Sequence, residues 1–138
     1  MSEPRTFTLT LPPGTRVLSA NNRLHRYAEA AEVKRLRSIA ITLAKQQHIP
    51  PLGQVTILLE YQLPSAKHPM ASQFIHDHDN LFPTLKALTD GIRRAGVITQ
   101  DSREFVLDSR PRISEERYPL GRLLLHVTEV LPVRERAS

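Results

Sequence analysis

The chain has 138 residues, the size of one domain that folds without a staple, and its lack of cysteine excludes a disulfide framework, a thiolate metal site and a cysteine nucleophile. Nineteen basic residues against fourteen acidic ones leave a net charge of +5, which favours a polyanionic partner. Four Phe, three Tyr and no Trp argue against a stacking platform for single strands and for duplex or branched DNA gripped through its phosphates.

Thr6 to Leu11 alternates threonine with Phe7, Leu9 and Leu11, as a half-buried strand does, and Pro12-Pro13-Gly14 stops it. A helical pattern runs from about Leu24 to Gln47, with Asn22 as N-cap. Its apolar face is Leu24, Ala28, Ala31, Leu36, Ile39, Ala40 and Leu43, and its cations Arg26, Lys34, Arg35, Arg37 and Lys45 lie mainly elsewhere. Pro50 to Gly53 ends this element. Gln54 to Leu63 is the clearest strand, with Val55, Ile57, Leu59, Tyr61 and Leu63 facing one way.

A polar connection from Pro64 to about Phe74 leads towards a second helix near Pro83, since proline suits a first turn. Leu85, Leu88 and Ile92 keep helical spacing and Gly96 is a stop. Glu104 to Asp108 predicts a short strand and Gly121 to Leu131 the last one, with Leu123, Leu125 and Val127 on one face. Residues 131–138 read as a frayed, charged tail. The order predicts one domain over 1–138, of α/β (α+β) class, with a small mixed sheet and two main helices. No apolar run approaches the length of a membrane span. The N-terminus lacks a signal peptide's apolar core, so the expected location is cytoplasmic.

His76-Asp77-His78-Asp79-Asn80 stands out chemically. Carboxylates two residues apart share a face if the backbone is extended. They lie just before a helix N-terminus, which tolerates anions. Held close, they call for a cation, and oxygen-only ligands suit magnesium or manganese. Taken alone, such a pair is more often a cap or a solvated loop. Asp101 adds a third carboxylate after the helix. Lys86 and Asp90 lie four apart on that helix: the plain reading is a surface ion pair, the functional one a cation facing a phosphate.

The stretch Asp77-His78-Asp79-Asn80-Leu81, then Lys86 through Ile92, then Ala95-Gly96-Val97-Ile98-Thr99-Gln100-Asp101 resembles the signature of the RusA-type Holliday junction resolvases. Ser19-Ala20-Asn21-Asn22-Arg23-Leu24-His25, between the Thr-rich strand and the basic helix, resembles the family's N-terminal part. The resemblance covers roughly residues 6 to 130, and its diagnostic motifs are the central ones. It implies a RusA-like fold and a homodimer, one site per subunit, that resolves four-way junctions by paired symmetric nicks. Asp77, Asp79 and Asp101 match the family's metal-binding aspartates, and Lys86 its active-site lysine. Mg2+, or Mn2+ in its place, would activate a water for in-line attack, with Lys86 stabilising the growing charge.

The chain departs from the family pattern in three places. Lys86 follows Asp79 by seven positions, a longer spacing than in the best-known members, which suggests an added turn at Phe82-Pro83-Thr84. Gln100 replaces the first member of an acidic pair, and His76 stands where a basic residue often precedes the first aspartate. His76, Arg93, Arg94 and Arg103 are the expected DNA contacts, with Arg110 and Arg112 also near the site in sequence. Two other readings compete. One is a non-catalytic DNA-binding module of the same fold. The other is a His/Asp metallohydrolase acting on small phosphoesters, which would need further histidines from separate elements.

Overall fold

The computed structural model describes residues 3–18, 26–65, 81–98 and 105–130. Six elements follow in the order β1 (Thr6–Thr10), α1 (Arg26–Gln46), β2 (Val55–Gln62), α2 (Phe82–Arg94), β3 (Val106–Ile113) and β4 (Arg122–Glu129). The strands form one mixed sheet in the order β1-β4-β2-β3. β4 runs antiparallel to both β1 and β2, and β2 runs parallel to β3. The parallel pair requires a crossover, and α2 lies within it. The expected class is therefore observed.

Alternation builds the core. Val55, Ile57, Leu59 and Tyr61 of β2 are buried beside Leu123, Leu125 and Val127 of β4 and Leu9 of β1. Leu36, Ala40 and Ala44 from α1 and Leu85, Leu88 and Ile92 from α2 complete one cluster. Three local expectations need correction. Ala31 is exposed and Ala44 buried, because Ala31 lies about 140° round the helix from Leu36 whereas Ala44 lies about 40° from Ala40. α1 gives way to a turn at His48, whose φ is 53°, before the prolines are reached. The short strand expected at Glu104 to Asp108 runs instead from Val106 to Ile113 and passes through Pro111. β3 is an edge strand, which is where a sheet tolerates proline. Leu24, Ala28 and residues 131–138 lie outside the residues or side chains described. Among the described residues no helix is long and apolar enough to cross a membrane.

The sheet's other face carries a polar chain that crosses all four strands. Thr8 Oγ1 meets His126 Nδ1 at 2.9 Å, His126 Nε2 meets Glu60 Oε1 at 2.9 Å, and Arg112 Nη2 lies 3.4 Å from the same oxygen. An ionised carboxylate only accepts, so Nε2 carries the proton that faces Glu60, while Nδ1 shares the second hydrogen bond with the Thr8 hydroxyl. Burial pushes the Glu60 carboxyl up, but the hydrogen bonds of His126 and Ser114, with the Arg112 charge behind them, outweigh it and hold its pKa below the ordinary value. A depressed carboxylate stabilises the fold above its unfolded-state pKa, and that contribution disappears as pH falls through the folded-state value. Glu60→Gln is therefore expected to be less stable than wild type at pH 7. The gap should narrow as pH drops below the usual carboxylate range, as read by urea midpoints at each pH. Parallel stability curves for the two proteins would contradict the linkage.

The two helices touch at a glycine. A Cβ at Gly91 would stand 2.6 Å from the Ala40 Cβ and 2.7 Å from the Arg37 carbonyl oxygen of α1. Backbone cannot yield as a flexible side chain does. Gly91→Ala should destabilise the protein by about 1–3 kcal/mol, the usual range for overpacking, in chemical denaturation. Adding Ala40→Gly should restore only part of the loss, because the Arg37 carbonyl remains in place. Full restoration would place the clash on Ala40 alone.

Candidate functional site

α2 starts at Phe82 with Pro83 in its first turn, and no side chain of the N-cap residue Leu81 closes its end. Its first turn carries no acidic residue, and the positive end of a helix favours a nearby anion. Phe82-Pro83-Thr84, expected as an added turn, is the beginning of the helix itself. The longer spacing from Asp79 therefore puts Lys86 in the helix, one turn past Phe82.

At about 100° per residue, Phe82, Lys86, Thr89 and Arg93 fall on one stripe of α2, and Gly91 lies opposite Phe82. The contact with α1 thus turns this stripe away from α1. Phe82, Leu85, Lys86 and Thr89 line a shallow depression of about 160 Å³, whose other wall is Val106 and Ser109 of β3. Lys86 is exposed. Asp90, its expected surface partner, forms no ion pair with it: the ion pairs among the described residues are made by other groups. The Thr89 hydroxyl donates to the Leu85 carbonyl at 2.8 Å, leaving only its lone pairs towards the depression. Ser109 adds a second hydroxyl.

Each wall of the depression follows one of the expected carboxylate segments in the chain. Phe82 follows the Asp77 to Asn80 stretch, and Val106 follows Asp101. Asp77, Asp79, Asp101, His76 and Arg103 themselves lie outside the described residues. Among the described residues no group of three or more acidic or histidine side chains could hold a metal ion.

Arg93 and Arg94 occupy the last turn of α2. Arg93 is half-buried, and its Nε is buried without a hydrogen-bond partner among the described residues. Arg93 lies two turns along the stripe from Lys86, about 10 Å of helix rise. Arg94 is exposed and points away from the stripe by roughly 80° or more. Arg110 and Arg112 do not join the depression. In a strand, residues two apart share a face, and both are out of phase with Ser109. Arg110 pairs with Asp108 at 3.4 Å and Arg112 with Glu60. His126 is held by Thr8 and Glu60 on that same far face, which removes it as a ligand beside Lys86.

Sequence reasoning missed Thr84. This side chain is fully buried. Its hydroxyl accepts from the Leu18 amide at 2.7 Å and donates to the Leu18 carbonyl at 3.2 Å. The Ser19 to His25 motif leaves from Leu18, so Thr84 ties the start of that motif to the first turn of α2. The available signal was a polar residue at a position helically in phase with the buried Ala87, Leu88 and Gly91.

No family model matches the chain. It is 28% identical over 128 residues, 89% of its own length and 76% of the other's, to an uncharacterized protein of Xylella fastidiosa (strain Temecula1 / ATCC 700964).

The Thr84 clamp yields a direct test. Thr84→Val keeps the shape and leaves the buried Leu18 amide without its acceptor, which costs about 1–3 kcal/mol in denaturant unfolding. Thr84→Ser retains the hydroxyl and should lose much less. Equal losses for the two variants would assign the cost to packing rather than to the hydrogen bonds.

Proposed function

We propose that this protein is a metal-dependent endodeoxyribonuclease that acts on branched duplex DNA as a homodimer, resolving four-way junctions by paired nicks. One observation supports the reading above the others. Lys86, the lysine matched by the RusA-type signature, stands on a depression walled by Phe82 and Val106, and in the chain these two residues follow the two carboxylate segments. A phosphodiester seated there would meet the Lys86 ammonium first. Arg93 lies further along the same stripe as a second cation.

The roles follow from charge. Asp77, Asp79 and Asp101 are an all-oxygen donor set, which suits Mg2+ or Mn2+ rather than zinc. When bound, such an ion supplies Lewis acidity at the phosphoryl oxygen and an acidified water. Lys86 orients the phosphate and stabilises the charge that builds on its equatorial oxygens in an in-line displacement. The start of α2, which the Leu81 side chain does not cap, has a dipole that favours an anion near it. A two-fold symmetric junction fits a two-fold symmetric dimer with one site per subunit.

Asp79→Asn keeps the side chain's shape and removes a charge expected to hold the metal. Cleavage of a synthetic four-way junction in Mg2+ should fall by several orders of magnitude, as for members of a unit that acts together. Junction affinity should hold or rise at low salt, because negative charge has left a surface that approaches phosphates. Wild type with EDTA should bind and not cut. Cleavage by Asp79→Asn at the wild-type rate would remove this carboxylate from the mechanism. Binding without cleavage by wild type in either metal would leave the non-catalytic module as the answer. Equal cutting of junction and linear duplex would remove the junction as substrate.

A further inference from the structure

α1 presents a cationic outer face for which the described fold supplies no use. Over its described side chains, the arc within about 60° of Ser38 consists of Ala31, Lys34, Arg35, Ser38, Ile41, Thr42 and Lys45. The arc contains three cations and no carboxylate, and apart from half-buried Ile41 its residues are exposed. Glu32 lies at its flank, where it takes Arg35 at 3.6 Å and Arg16 at 3.9 Å. Lys34 and Lys45 have no carboxylate partner within ion-pair distance among the described residues. They lie eleven positions apart, which is about 16 Å of helix rise. Between them on the arc stand Arg35, drawn towards Glu32 at the flank, the short hydroxyl side chains of Ser38 and Thr42, and half-buried Ile41, so a polyanion meets hydroxyls and cations along that length.

We propose that this face of α1 holds the phosphate backbone of a duplex DNA arm, away from the depression at Lys86. The partner follows from charge complementarity: an acid-free row of cations and hydroxyl donors matches a row of phosphates, whose contacts position a duplex without reading its sequence. The inference rests on the DNA reading above and is independent of the metal chemistry.

Binding of a fluorescent four-way junction, and of one linear duplex arm, is measured across a salt series for wild type and two double variants. Lys34→Ala/Lys45→Ala removes the two unpaired cations of the arc. Arg5→Ala/Arg110→Ala removes the same charge from sheet residues that are paired with Glu129 and Asp108. The helix variant should lose about tenfold or more in affinity near 100 mM salt. Its slope of log affinity against log salt should fall by about 2, close to 0.9 per lost phosphate contact. The sheet variant should stay near wild type. Single-turnover cleavage at saturating protein separates the two proposals, since the helix variant should keep the wild-type maximal rate. If wild type never cuts but the helix variant binds more weakly with the lower slope, the arm surface stands and the nuclease reading falls. If wild type cuts and the helix variant binds with unchanged affinity and slope while its melting curve shows it folded, the arm surface is overturned. Equal losses in both double variants would overturn it too, by reducing the effect to net charge. Binding of wild type to anionic phospholipid vesicles in preference to either DNA would give the face a different partner and overturn it as well.

Discussion

The close approach of α1 and α2 at Gly91 governs how the rest of the helical layer is displayed. With the Ala40 Cβ and the Arg37 carbonyl within 2.7 Å of where a side chain would begin, no other residue fits without moving one helix. That contact fixes the rotation of α2 about its own axis. Leu88 and Ile92 then fall towards the core and Phe82, Lys86 and Thr89 towards the β3 side. A few tens of degrees of rotation would carry Lys86 off the depression. A packing constraint on one side of a helix thus sets the chemistry available on the other.

The crossover gives this helix its second role. Because β2 and β3 are parallel, the chain must leave one end of the sheet and return to the other, and α2 fills that path. The segments that enter and leave α2 are those that carry Asp77, Asp79 and Asp101 in the sequence. Thr84 fastens Leu18 to the first turn of the same helix. Two stretches far apart in sequence, the one that continues from Leu18 and the one that enters at Leu81, therefore have their described ends at one end of α2.

Much of the fold was legible because it is written locally. The alternation of β2 and β4 and the spacing of Leu85, Leu88 and Ile92 are all carried by neighbours in the chain, and the buried residues follow them. Most of what failed depended on distant partners. Pro111 breaks a strand by local rules and is harmless at an edge, but only the sheet order β1-β4-β2-β3 reveals the edge. Ala31 and Ala44 are indistinguishable in hydropathy, so their exposure depends on a helix phase that the small residues do not define. At the candidate site, the identity of Lys86 came from a motif. Its company, Val106 and Ser109, comes from a strand some twenty residues further on and has no signature of its own. Thr84 was missed for a related reason: its two hydrogen bonds reach across 66 positions to Leu18.

The distribution of charge says more than its sum. On the sheet's far face and edge the arginines are spent on partners. Arg5 meets Glu129, Arg110 meets Asp108 and Arg112 meets Glu60, while Arg122 bonds Gln62 and stacks on Tyr118. In the helical layer the balance is different, since Lys34, Lys45 and Lys86 have no such carboxylate among the described residues. An ion pair cancels most of a cation's field at a distance, so the +5 of the chain is felt mainly where pairing is absent. The two helices pack on the same face of the sheet, so the unpaired lysines share one layer. A polyanion drawn by that field is drawn to the layer that holds both the outer face of α1 and the depression beside α2.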